Sequence, residues 1–261
     1  MDLNLAGKTA LVIASSQGLG KAVATELVKE GTNVMISSRN AEKLKNVQEE
    51  LNAIGKGKVF FHPADITKIE DIQQLVKETR KVLGPIDILI NNAGGPPTGS
   101  FEEFSDKDWE NSFQLNLLSY IRIIREVLPD LKENGGKIIN IASSSIKQPI
   151  SGLILSNTFR LGILGLSKTL AEELGPYNIL VNTVAPGRIA TDRIAMLDER
   201  IAEKQNVSRE EVTKRIEDSI PLGRYGTPEE FAKFVVFLVS DVNTYVTGSA
   251  LMIDGGSVKA I

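Results

Sequence analysis

The stretch Thr9–Leu27, TALVIASSQGLGKAVATEL, decides the fold. Ala10, Leu11, Val12 and Ile13 form an unbroken apolar run, the pattern of a parallel strand buried on both faces. Small residues follow (Ala14, Ser15, Ser16), then Gly18 and Gly20, then a helical pattern through Val23, Leu27 and Val28. A glycine-bearing turn between a buried strand and a helix suits an anion. Backbone N–H groups and the helix dipole point at it, and glycine lets a phosphate approach the backbone. The spacing falls short of the full dinucleotide fingerprint, because Ala14 stands where a first glycine is expected. On its own the turn leaves a nucleotide site and an ordinary tight turn both open.

Strand-like and helix-like segments alternate outward from this turn. Thr32–Ser37, Lys58–His62, Ile86–Ile90, Lys137–Ala142, Ile179–Val184 and Ala250–Ile253 read as further strands. Between them, Asn40 can cap a helix using Leu44, Val47, Leu51 and Ile54, and Ile69, Ile72, Leu75, Val76 and Leu83 share another helical face. Two long helices are predicted over about Asp106–Leu128 and Leu153–Leu174, the second stopped by Gly175-Pro176. Thr227-Pro228-Glu229-Glu230 opens a last helix. Such alternation implies a parallel sheet with right-handed crossovers and helices on both faces. Ligands then bind beyond the carboxyl ends of the strands, where Ala14, Asn91, Ser143 and Ala185 fall. No break in composition divides the chain, so 1–261 reads as one dinucleotide-binding and catalytic domain. Within it, 188–219 is charged and amphipathic, with Ser208 and Glu211 as a capping box. This segment reads either as a substrate lid or as a pair of surface helices.

Composition narrows the function classes. With 42% hydrophobic residues and a formal net charge of −3 without a basic cluster, nucleic acid and anionic membranes are poor partners. Cysteine is absent and His62 is the only histidine, which excludes disulfides, thiolate nucleophiles and multi-histidine metal sites. His62, at a strand end beside proline, reads as structural. The N-terminal MDLNLAGK lacks the pattern of a signal peptide and no apolar run is long enough for a membrane span, so the cytoplasm is expected. Trp109 and Phe113 read as helix packing rather than ligand stacking.

Arg39 carries the first specific pointer to a cofactor. The end of the second strand, about 20 residues past the glycine turn, meets the adenosine ribose in a dinucleotide fold, where an acid favours NAD. Here Ser37-Ser38-Arg39-Asn40 offers a guanidinium instead, shaped for a 2′-phosphate. NADP is therefore expected over NAD, which stays possible, while a solvated charge is the plainer alternative. Asp65 can accept from the adenine amine or cap the helix that follows.

Asn91-Asn92-Ala93-Gly94 after the fourth strand, beside the glycine turn after the first, resembles the short-chain dehydrogenase/reductase family. Asn116 in QLNLLSY, Ser143 in NIASSS, Pro186-Gly187 and Thr191 in VNTVAPGRIAT, and YVTGSALMIDGG extend the resemblance over essentially the whole chain. It implies a Rossmann-type doubly wound α/β fold with a seven-stranded parallel sheet, a nicotinamide dinucleotide, and a homotetramer. It is closest to 3-oxoacyl-carrier-protein reductases and sugar dehydrogenases, hence to a small carbonyl or secondary alcohol substrate. It also implies a cofactor site: Ala14, Ser16, Gln17, Gly18 and Leu19 at pyrophosphate and ribose, Ser38 and Arg39 at the adenosine ribose, Asp65 and Ile66 at adenine. Asn92, Ala93 and Gly94 would run along the cofactor, with Pro186, Gly187, Ile189 and Thr191 near the carboxamide and phosphate.

The catalytic motif departs from that pattern. Ser143 matches the family serine, but the tyrosine and lysine of YxxxK are replaced by Ser156 and Arg160, and the chain contains no YxxxK in any register. A serine hydroxyl is a far weaker acid than a phenol, whose reference pKa is about 10, and Arg160 stays protonated. The residues fit an oxidoreductase in which Ser143, Asn116, Ser156 and Arg160 form an atypical catalytic set. The alternatives are a nucleotide-binding sensor or partner subunit without redox chemistry, or a different reaction on a substrate bearing its own acid.

Overall fold

The computed structural model describes residues 2–260. Its sheet grows from β1 (Thr9–Ile13), every residue of which is buried. The other strands are β2 (Asn33–Ser37), β3 (Val59–Phe61), β4 (Ile88–Asn91), β5 (Gly136–Ile141), β6 (Ile179–Pro186) and β7 (Ala250–Ile253). All pair in parallel in the order β3-β2-β1-β4-β5-β6-β7. This is the expected Rossmann-type doubly wound α/β fold with a seven-stranded sheet. The order reverses between β1 and β4, which opens a crevice at their carboxyl ends.

The alternation inside β1 builds both halves of the core. Ala10 and Val12 face one layer, packed with α1 (Gly18–Lys29), α2 (Ala41–Asn52) and α9 (Pro228–Val239) through Val23, Leu27, Leu44, Leu51, Phe231 and Val235. Leu11 and Ile13 face the other, packed with α3 (Ile69–Leu83), α5 (Ser119–Asn134) and α6 (Ile154–Leu174). A strand apolar at every position is what two covered faces require. Asn40 caps α2 by accepting from Lys43 N, and Thr227 and Glu230 form a reciprocal capping box on α9.

Two features differ from the sequence reading, and the others here agree with it. The helix expected over Asp106–Leu128 is α4 (Asp106–Phe113), a π-turn at Gln114–Leu118, and α5, which continues through Pro129 to Asn134. Proline costs a helix interior about 3 kcal/mol, but Val127 and Leu131 are wholly buried on either side, and packing on the sheet carries the helix past it. The segment 188–219 folds as α7 (Asp192–Gln205) and α8 (Arg209–Ser219). Ser208 accepts from Glu211 N, capping α8, without the return bond of a capping box. Trp109 and Phe113 pack edge-on and tilted against Phe159, as expected of packing residues.

Ala14 bears the cost of the missing glycine. Its φ is +52°, and the other non-glycine residues with positive φ are asparagines. The left-handed region costs an L-residue roughly 1–2 kcal/mol. Gly20 cannot vary in the same way, since a Cβ there would collide with the Ala14 carbonyl. Replacing Ala14 with glycine is expected to stabilise the chain by about 1 kcal/mol after the entropy of the unfolded glycine is subtracted. Thermal unfolding checks this as a midpoint raised by a few degrees.

Candidate active site

One cavity of about 1210 Å³ lies along the carboxyl edge of the sheet. Every position that the sequence assigned to a dinucleotide lines it, and so do Ser143, Ser156 and Arg160. At one end are Ser38 and Arg39, which follow β2, and Asp65 and Ile66, which follow β3. Asp65 Oδ1 accepts from Thr67 N at 3.0 Å and Thr67 Oγ1 at 2.8 Å, closing a local turn. It does not cap α3, whose N-cap position is Lys68. Burial works to raise the Asp65 carboxyl, but the Thr67 bonds, with Lys68 and Arg39 nearby, hold it below its usual value. Arg39 is exposed and forms no salt bridge among the described residues. Lys43, one helical turn farther on, also lines the cavity and reaches Gln17 Oε1 at 3.2 Å.

The glycine turn occupies the middle. Ser16, Gln17, Gly18 and Leu19 line the cavity, and α1 starts at Gly18 with no side-chain cap from Gln17. The amides of its first turn are left for a ligand. Gly18 holds φ +58°, and a Cβ there would lie 3.8 Å from Thr191 Cγ2, which places Thr191 across from the turn. Asn92 Nδ2 donates to Ala14 O at 3.3 Å, tying the turn to the end of β4. Ala93 and Gly94 continue this wall, and Pro186, Gly187 and Ile189 form the one after β6.

At the far end Ser143 follows β5. Its Oγ accepts from Ser145 N at 3.2 Å and donates to no group among the described residues, and Ser143 lines the cavity. Ser156 and Arg160 lie one turn apart on α6 and share a face. Arg160 is 5% exposed. Its Nη1 donates to Ile141 O at 2.8 Å and Tyr120 Oη at 3.0 Å, and its Nη2 to Ala93 O at 3.1 Å. The guanidinium thus clamps the ends of β4 and β5 while one edge borders the cavity. Tyr120 is fully buried and donates to Ile141 O at 2.9 Å, outside the cavity lining. Burial raises its phenol against the opposing pull of Arg160.

Asn116 lies one layer behind the cavity. It sits in the π-turn, is wholly buried, and donates from Nδ2 to Gly94 O at 2.8 Å, while Oδ1 has no protein partner. It shapes the wall from behind and does not line the cavity. His62 also lies outside the lining, as does Pro97, whereas Pro96 forms part of the wall. From the segment 188–219, α7 contributes Asp192, Arg193, Ile194 and Leu197, and α8 contributes nothing.

The model of the enoyl-(acyl carrier protein) reductase family matches residues 13–258. A 3-oxoacyl-[acyl-carrier-protein] reductase FabG from Aquifex aeolicus is 36% identical over 259 residues, covering 98% of this chain and 99% of that one. The NADPH-dependent reductase BacG of Bacillus subtilis is 31% identical over 256 residues, 97% of this chain and 99% of that one. Among solved structures, L-sorbose reductase from Gluconobacter frateurii, complexed with NADPH and L-sorbose, superposes with a TM-score of 0.95 at 31% identity, covering all of both chains. The chain belongs to the short-chain dehydrogenase/reductase family.

Within this short-chain dehydrogenase/reductase, sequence reasoning missed the residues that act through packing. Tyr120 follows Asn116 by one helical turn, but nothing in the sequence showed that its hydroxyl meets Arg160. Lys43, on the exposed side of α2, was not singled out. Arg193 looked like part of an amphipathic surface. Removing the Tyr120 hydroxyl takes one acceptor from a buried cation, so Tyr120→Phe is expected to destabilise the fold by about 1.5–3 kcal/mol. Urea unfolding measures this as a lower midpoint with an unchanged slope.

Proposed function

We propose that this chain is an NADPH-dependent oxidoreductase, moving a hydride between nicotinamide and a carbonyl or secondary alcohol carbon, in the manner of a 3-oxoacyl-thioester reductase. One observation carries the reading: a single continuous cavity joins exposed Arg39 and Lys43, the uncapped glycine turn, and the free hydroxyl of Ser143. Those residues fit an extended dinucleotide with a 2′-phosphate. Arg39 and Lys43 would hold the 2′-phosphate, with Asp65 and Ile66 at adenine. Ser16, Gln17, Gly18 and Leu19 would hold the pyrophosphate through the amides of α1, with Thr191 opposite. Asn92, Ala93, Gly94, Pro186, Gly187 and Ile189 would wall the nicotinamide half. When bound, the dinucleotide supplies the hydride donor or acceptor.

The chain's own groups handle the oxygen and the proton. Ser143 donates to the carbonyl oxygen, stabilising the charge that develops there. Arg160 adds a fixed positive field at the cavity wall, strengthened by burial and already held in place by its bonds to Ala93, Ile141 and Tyr120. Ser156, on the same face of α6, offers a second hydroxyl. Neither serine nor arginine is a practical acid at neutral pH, and Tyr120 has its proton engaged behind the wall. The alkoxide, held by Ser143 and Arg160, therefore takes its proton from solvent water reaching Ser143 and Ser156, and the hydroxide left behind exchanges into bulk solvent. Asn116 positions the Gly94 carbonyl. Residues 1–261 act as one domain in this reading, and α7 serves as the part of the 188–219 lid that meets substrate. A homotetramer is further proposed, supported by the edge strand β7 and by Phe237 of α9, which is 37% exposed. No described helix is long and apolar enough to cross a membrane; the cytoplasm is the proposed location.

Two measurements test this. Arg39→Asp is expected to weaken NADPH binding at least tenfold while leaving NADH affinity nearly unchanged in calorimetry; an unaltered preference removes the phosphate assignment. Ser143→Ala is expected to lower turnover by roughly 100–1,000-fold, the range for loss of one oxyanion donor. Its NADPH affinity should stay within twofold of the parent.

A further inference from the structure

The cavity's substrate end carries positive charge that the protein leaves unneutralised. Arg193, on the first turn of α7, is half-buried against the wall, and its one protein hydrogen bond runs from Nη2 to Pro96 O at 2.9 Å. The rest of its donor fork has no protein partner among the described residues. Gly95 makes room for it, because a Cβ there would lie 2.9 Å from Nη2. The helix that presents it is anchored. Asp198, buried on α7, accepts from Arg188 Nη1 at 2.6 Å and from Tyr225 Oη at 2.9 Å. Arg193 and Leu197, one turn apart, then face the cavity together.

No carboxylate offsets this charge. Among the described residues none of Arg160, Arg193 and Arg200 forms a salt bridge, and neighbouring Asp192 lines the cavity without pairing to any of them. Burial, and after it the fields of Arg200 and Arg160, lower the Arg193 guanidinium from its ordinary value. A half-buried guanidinium with open donors, among like charges, is a site awaiting an anion. The adenosine-phosphate groups have their own partners at Arg39, Lys43 and the α1 turn.

We infer that the substrate carries a carboxylate, which pairs with Arg193 while its carbonyl meets Ser143. This rests on the oxidoreductase reading and names the substrate class for the same site. The planar fork of arginine matches a carboxylate through two parallel bonds. Arg160 lines the same cavity, and its charge is close enough to Arg193 to act on it.

The test loads the full-length protein with NADPH and titrates 4-oxopentanoate and 5-oxohexanoate against 2-pentanone and 2-hexanone. Binding is read by calorimetry and hydride transfer by NADPH absorbance. The expected result is that a keto acid binds at least tenfold tighter than the neutral ketone of equal length. Arg193→Gln should erase that difference, Arg193→Lys should restore part of it, and NADPH affinity should stay within twofold throughout. Equal binding of acid and neutral ketone, or no binding of either acid, overturns the inference. So does a loss of NADPH affinity in Arg193→Gln with keto-acid binding intact, which would assign Arg193 to the cofactor's pyrophosphate. A keto acid that binds through Arg193 without hydride transfer supports the anion site and contradicts the oxidoreductase reading. Turnover of neutral ketones with no preference for the acid does the reverse.

Discussion

The rest of the site depends on the Arg160 guanidinium being held where a shorter cation would not reach so many partners. A buried charge is tolerated only when hydrogen bonds replace its water, and here they come from Ala93, Ile141 and Tyr120. Ala93 and Ile141 lie at the ends of adjacent strands, and both residues also line the cavity. One side chain therefore sets the spacing between the wall after β4 and the wall after β5. Because Ser143 follows Ile141 by two residues, the same clamp sets where its hydroxyl points.

This arrangement changes the division of labour from that of the family pattern the chain resembles. A phenol and an ammonium would together supply a proton at the reacting oxygen. With Ser156 and Arg160 in their places, the chain keeps positive charge and a hydroxyl at the site but gives up the acid. The phenol of Tyr120 is engaged in structure instead, donating to Ile141 O. Electrostatic stabilisation of a developing alkoxide survives such a change, since it needs only fixed donors in a site of low polarity. On the proposed reading the proton comes from water, and catalysis rests mainly on hydrogen bonding and charge.

Much of the architecture was legible because each local rule agreed with the others. The apolar run Ala10–Ile13, the alternation of periodicities, and the caps at Asn40 and Thr227 all point to one parallel sheet. That the residues after β1, β2, β3, β4 and β6 line one cavity was legible because a strand end followed by a turn fixes where backbone and side chain face. What escaped was decided by packing. Pro129 suggested a helix stop that the burial of Val127 and Leu131 overrides, and the π-turn holding Asn116 has no signature in QLNLL. Arg160 could be placed on the right face of α6, but its three protein partners come from elements distant in sequence. Arg193 was hidden in a charged amphipathic stretch, where periodicity distinguishes a buried face from an exposed one but not a cavity from solvent.

The most direct test of the central claim is isotopic. The protein, loaded with NADPH carrying deuterium at C4 of the nicotinamide, is mixed with 3-oxoacyl thioesters and keto acids, and the products are weighed by mass spectrometry. The account predicts an alcohol with deuterium on its carbinol carbon, formed despite the absence of the tyrosine and lysine and depleted when Ser143 is replaced by alanine. Tight NADPH binding with no deuterium reaching any product would contradict it, leaving the fold and the clamp without the redox chemistry assigned to them.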